Sequence, residues 1–191
     1  MIILNKIYVI GIGSEAISVL DRVKEYNRDV ITVLLDDIEN NKPDIFIKYD
    51  FGFNDFKGNG YKGIATDLLD SIKDKVSSLS SKINSSDKVI IFNNLYKTGS
   101  LEMFYYLCSE LGCKTDNCYI LVCNGYKFLG QVRNNYNNEI LDKIYKLNYK
   151  IYELDGDEVS KIKEAKDITH KIDYVYDEFY NYIKSILNGE L

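Results

Sequence analysis

Six short apolar runs separated by longer stretches of helical period constrain this chain more than any other feature of its sequence. The runs are Lys6–Ile10, Val30–Leu35, Asp44–Tyr49, Lys88–Phe92, Cys118–Cys123 and Tyr149–Leu154. KVIIF and CYILVC are continuously apolar, as strands covered on both faces must be. DIFIKY alternates, which places it near a sheet edge. Between the runs, helices are predicted over Ser14–Tyr26, Ala65–Ile83, Ser100–Leu111 (stopped by Gly112), Asn134–Leu147 and Asp167–Leu187. Phe51–Gly63, with four glycines, reads as a loop. Strands that alternate with helices make a parallel sheet with right-handed crossovers, so the expected class is α/β in three layers. No repeat or linker divides the 191 residues, and 1–191 is read as one domain.

Charge narrows the partners. Lys and Arg number 24 against 29 Asp and Glu, a formal net charge of −5, which argues against nucleic acid as a bulk electrostatic partner and leaves only a local basic patch open. No window approaches about 18 uninterrupted apolar residues, so no membrane span is expected. The start, MIILNKIYVIGIG, lacks a basic leader and a cleavage site and reads as a strand. A cytoplasmic location is the expectation.

The four cysteines fall at equal spacing, Cys108, Cys113, Cys118 and Cys123. That spacing is wrong for zinc, and Cys118 and Cys123 bracket a strand about 17 Å long, so they cannot share an ion. They are read as buried or incidental thiols in a reducing compartment. The only histidine, His170, opens the last helix and suits a surface or capping role. No metal site and no catalytic residue is expected.

Three segments are candidates for ligand chemistry. Gly11-Ile12-Gly13-Ser14-Glu15-Ala16 is G-x-G-x-x-A between the first strand and first helix, where a Rossmann-like fold binds phosphate on backbone N–H groups. Glu15 counts against it, because a carboxylate there repels phosphate. Asp36 and Asp37 close the second strand, where dinucleotide enzymes place a ribose-binding carboxylate, so an NAD(P)-binding protein is an alternative. After the fourth strand, Lys97, Thr98, Gly99 and Ser100 open a helix and offer an N-cap or an anion contact.

The order of these pieces resembles the FtsZ/tubulin family. DKVIIFNNLYKTGSLEMFYYLCSELG is similar to that family's strand, glycine-rich phosphate loop and helix, with Lys97–Ser100 as a shortened loop. Val122–Arg133 (VCNGYKFLGQVR) matches V-T-K-P-F-x-F-E-G-x-x-R without gaps. Asp155-Gly156-Asp157 falls at the base-side loop, and Ile172–Phe179 resembles the start of the core helix. The resemblance implies a tubulin/FtsZ-type nucleotide-binding domain without the C-terminal domain. It implies a guanine nucleotide, GTP or GDP, at Gly11, Gly13, Ser14, Lys97, Thr98, Gly99, Ser100, Arg133 and Asp177. The departures imply that this site is worn. One glycine remains in the main phosphate loop, Leu129 stands where the family has a ribose-contacting Glu, and the chain stops before the loop that promotes hydrolysis. The expectation is a protein that acts by contact with a filament or with itself and does not hydrolyse GTP, with a nucleotide-binding switch as the alternative. The tyrosines 174, 176, 180 and 182 are read as the core and rim of an amphipathic helix, or else as an aromatic docking face.

Overall fold

The computed structural model describes residues 5–49, 60–96, 100–147, 149–162 and 166–191, with residues 60–68, 100 and 162 described by backbone alone. Six strands form one wholly parallel sheet: β1 (Ile7–Ile12), β2 (Val30–Asp36), β3 (Ile45–Lys48), β4 (Lys88–Asn94), β5 (Asn117–Asn124) and β6 (Lys150–Asp155). Their spatial order is β3-β2-β1-β4-β5-β6. Among the described residues six α-helices accompany them: α1 (Ala16–Tyr26), α2 (Gly60–Ser80), α3 (Ser100–Gly112), α4 (Gly130–Tyr145), α5 (Gly156–Ile162) and α6 (Ile168–Asn188).

The strand pleat divides the core. Ile10, Val33, Ile91, Ile120 and Val122 face one side and pack against α2, α3 and α4. Val9, Leu34, Ile90, Phe92, Leu121 and Cys123 face the other and pack against α1, α5 and α6. That is the expected three-layer α/β architecture. The central strands β1, β4 and β5 are buried on both faces, as their continuous apolar runs require, whereas no position of the edge strand β6 is fully buried.

Local chemistry sets the helix ends. Ala16, Val19, Leu20 and Val23 supply the buried stripe of α1. Asp167 caps α6 by accepting the His170 backbone N–H, and Gly189, in the left-handed region, ends it by donating to Ile186. Four bounds differ from the sequence expectation. β1 runs through Gly11, which pairs with Leu34 and Phe92 instead of closing the strand. α2 begins at Gly60, ahead of Ala65, and residues 51–59 of the expected loop lie outside the described residues. α4 begins at Gly130, because a 3₁₀ turn over Lys127–Leu129 leads straight into it. The segment read as a loop at Asp155–Asp157 opens α5, whose first N–H groups, on Asp157 and Glu158, donate to the Asp155 carboxylate.

Candidate functional site

In a parallel α/β sheet, the loops at the carboxyl ends of the strands collect on one edge, which is where such folds bind ligands. Here that edge carries the Gly13–Glu15 turn, Asp36 and Asp37, Asn93–Tyr96, the 3₁₀ turn and Asp155.

The first loop is only partly available to an anion. Gly13 has φ of 86°, so glycine is needed for the turn. Its N–H donates to Leu35 O at 2.8 Å and extends the β1–β2 ladder, and the Ala16 N–H donates to Gly13 O at 3.0 Å. Gly11 serves packing: a Cβ there would lie 2.6 Å from both the Ala16 Cβ and a Phe92 ring carbon. Glu15 turns toward the site. Its carboxylate accepts the Tyr96 hydroxyl at 2.6 Å and the Ser14 hydroxyl at 3.3 Å.

Three tyrosines surround this carboxylate and the strand ends behind it. Tyr96 follows β4 and meets Tyr126 edge to face at 6.4 Å. Tyr126 is fully buried; its ring packs on Gly156, where a Cβ would sit 2.2 Å from it, and it tilts against Phe128 at 5.0 Å. The Tyr126 hydroxyl reaches the Cys123 thiol at 3.5 Å and also faces the buried Asn94 carboxamide. Tyr176, from α6, is 5% exposed. All three hydroxyls are held above their ordinary value of 10. Burial is the main cause for each, joined by the Glu15 hydrogen bond at Tyr96, by Cys123 at Tyr126 and by the Glu15 charge at Tyr176.

The sign of this shift makes a pH prediction. The folded state favours the neutral phenol, so stability is fully present below the unfolded-chain value near 10 and declines as pH rises past it. The urea midpoint should hold steady up to about pH 9 and fall above about pH 10, and the last part of the tyrosinate absorbance to appear should come together with loss of the far-ultraviolet circular dichroism. A midpoint unchanged at about pH 11 would contradict the buried cluster.

Behind the edge, asparagines tie the strand ends to α4. Asn137, fully buried, donates to Leu95 O at 3.2 Å and to Asn124 Oδ1 at 3.1 Å, and Asn134 donates to Tyr126 O at 3.0 Å. Asp157 accepts the Lys127 N–H at 3.0 Å and faces Lys171, which fastens the 3₁₀ turn to α5 and α6.

Of the residues singled out from sequence, Gly11, Gly13, Ser14 and Arg133 share this edge. Arg133 lies in the first turn of α4, 6% exposed. Asp177, on α6, forms an ion pair with Arg22 of α1 at 2.6 Å, and that guanidinium stacks over the Tyr180 ring at 3.9 Å. Lys97, Thr98 and Gly99 lie outside the described residues, and Ser100 is the first residue of α3. Asp36 is buried, with its Oδ1 accepting the Asp37 N–H. Leu129 is half-buried against the α1/α6 core layer, as are Tyr174, Tyr180 and Tyr182. Sequence reasoning did not assign Tyr96, Tyr126 and Tyr176 to the site. The available signal was position: Tyr96 directly precedes the shortened loop, and Tyr126 stands at the first aromatic place in the F-x-F pattern.

Cys108, Cys118 and Cys123 are buried and Cys113 is exposed. Burial pushes the Cys118 and Cys123 thiols up to about 12, which keeps them protonated and unreactive. No group of three or more metal-ligating side chains occurs among the described residues, and no described helix is long and apolar enough to cross a membrane.

Comparison with solved structures identifies the class of fold. An empty FtsZ dimer from M. jannaschii superposes with a TM-score of 0.76 at 16% identity, covering 96% of this chain and 54% of that one. CetZ2 from Haloferax volcanii, in a GTPγS-bound protofilament, gives 0.70 at 14% identity, covering 95% and 58%. CetZ from Methanosaeta thermophila gives 0.64 at 10% identity, covering 96% and 53%. The fold is therefore FtsZ/tubulin-like and corresponds to the FtsZ nucleotide-binding domain. This chain spans little more than half the length of each of these structures. No protein-family model and no curated relative matches its sequence.

Proposed function

We propose that this protein is an FtsZ/tubulin-like domain that acts through protein–protein contact at the carboxyl edge of its sheet, without GTP hydrolysis. The reading rests on one observation: the Glu15 carboxylate, held by the Tyr96 and Ser14 hydroxyls, sits in the turn where this type of fold would place phosphate. A carboxylate repels a triphosphate, and the Gly13 N–H that would help offset the repulsion is committed to Leu35. Each phosphate-directed donor lost costs about 1–3 kcal/mol, so two or three account for several decades of affinity. Phe128, 43% exposed, and Val132, 80% exposed, border the same edge and give a contacting protein apolar surface. The partner is a filament of the FtsZ type or a second copy of this chain. The protofilament and dimer among the solved structures of this fold support that choice.

Two measurements test the reading. Calorimetry with GTP and Mg²⁺ should give no heat at millimolar nucleotide, and a micromolar Kd would replace the proposal with the nucleotide-switch reading. Sedimentation of FtsZ filaments with an equimolar amount of this protein should change the polymer mass, or sedimentation velocity should show self-association. The contact reading is lost if neither happens. The NAD(P) reading gains no support, because Asp36 is buried and its Oδ1 is used by the Asp37 N–H.

A further inference from the structure

Asn-Gly occurs three times in the sequence, at Asn59–Gly60, Asn124–Gly125 and Asn188–Gly189. The pair has a chemistry of its own. No side chain crowds the glycine nitrogen, so it can reach the side-chain carbonyl carbon of the preceding asparagine and close a five-membered ring. The fold decides which pair is free to do so. Asn59 lies outside the described residues. Asn124 ends β5 and is 6% exposed. Its carboxamide is clamped from both sides: Nδ2 donates to Asn138 Oδ1 at 2.9 Å, and Oδ1 accepts the Asn137 Nδ2 at 3.1 Å. Ring closure there would break both bonds.

Asn188 is the opposite case. It is exposed and is the last residue of α6, and Gly189 follows it with φ of 75°. The Gly189 N–H is shared between Ile186 O, at 3.3 Å, and Ser185 O, a divided bond of the kind found at helix ends, which open readily. The Tyr26 hydroxyl, from α1, donates to Asn188 Oδ1 at 2.6 Å, and Asn188 Nδ2 donates to the Glu190 carboxylate at 3.0 Å. The Lys184 ammonium, one turn earlier on α6, stands 5.1 Å from the centroid of the Tyr26 ring. The carbonyl oxygen that turns anionic on attack therefore already has a hydrogen-bond donor, with a cation close to that donor.

We infer that Asn188–Gly189 is a self-modification site, at which the asparagine deamidates through a succinimide while Tyr26 stabilises the developing oxyanion. A solvent base takes the Gly189 amide proton. The bond from Gly189 N to Asn188 Cγ forms, the Cγ–Nδ2 bond breaks, and Nδ2 leaves as ammonia with a proton returned by solvent. Water then adds to one of the two ring carbonyls. Addition at Cγ gives aspartate. Addition at the Asn188 backbone carbonyl carbon gives isoaspartate, with the main chain running through the former side chain. Either product puts a negative charge beside Glu190 where a donor stood. Isoaspartate also lengthens the backbone by one carbon and draws the Gly189 N–H away from the end of α6.

Peptide mass mapping of the full chain, aged in neutral and in mildly alkaline buffer, tests this. The NH₂-to-OH mass gain is expected at Asn188, faster in the alkaline buffer, with isoaspartate at that position and Asn124 intact. Tyr26→Phe should slow the gain by about three- to tenfold, the worth of one hydrogen bond. In concentrated urea, where Tyr26 no longer meets Asn188, the parent and Tyr26→Phe chains should react alike and Asn124 should react too. A folded parent in which Asn124 reacts as fast as Asn188, or in which Asn188 stays intact in both buffers, would overturn the inference. So would a Tyr26→Phe chain that reacts as fast as the parent, or faster, because the hydroxyl would then shield the carboxamide instead of activating it.

Discussion

Tyr126→Ala should lower the unfolding free energy by about 3–5 kcal/mol, the cost of emptying a fully buried aromatic site. The ring has no exposed surface and fills the space between Tyr96, Phe128 and the Cα of Gly156. Its neighbours are anchored: Gly156 starts α5 under the Asp155 cap, and Asn134 holds the Tyr126 carbonyl. They cannot collapse into the vacancy, so the cavity term adds to the transfer term. For a domain whose whole stability is on the order of 5–15 kcal/mol, the variant would stand close to the unfolding threshold. Tyr126→Phe keeps the ring and loses only the hydroxyl contact to Cys123, for about 1 kcal/mol. Urea titration of the pair measures the difference. An alanine variant within about 1 kcal/mol of the parent would mean that the ring does not support the edge.

Gly11→Ala should cost about 1–3 kcal/mol through overpacking, and the loss should appear in stability whether or not any ligand is present. The added methyl would stand 2.6 Å from the Ala16 Cβ on one side and from the Phe92 ring on the other. Phe92 cannot retreat, because it is fully buried and stacks against Phe179 at 5.6 Å. Adding Ala16→Gly removes one of the two clashes and should recover part of the loss, less about 1 kcal/mol for glycine in a helix. A Gly11→Ala protein as stable as the parent would refute the packing role. The experiment also separates two meanings of a glycine-rich turn, since a residue kept for anion approach would show its effect only in binding.

Much of this fold was legible in the order of its apolar runs. All six strands and five of the six helices stood in the sequence, because strands buried on both faces leave uninterrupted runs and long helices leave a 3.6-residue stripe. The short helix α5 did not. Seven residues are too few for a periodicity, and its start depends on an Asp155 cap that reads equally well as a turn. The side-chain arrangement at the carboxyl edge was less legible. Gly11 and Gly13 mark the turn between β1 and α1, but G-x-G-x-x-A carries no sign that one N–H closes the sheet ladder and that the other glycine makes room for Phe92. Whether Glu15 faces the site is a matter of side-chain direction, settled by a tyrosine 81 residues away. The pairing of Asp177 with Arg22 joins residues 155 apart, a distance at which no local pattern speaks.

That pairing has a mechanical consequence. α1 and α6 lie side by side and are riveted at two heights, by Arg22–Asp177 midway along and by the Tyr26 hydroxyl on Asn188 near their ends. Both contacts are exposed and small in energy, so they fix the register of the two helices, while the buried packing of Val19, Leu20 and Val23 with Val175, Phe179 and Ile183 holds them together.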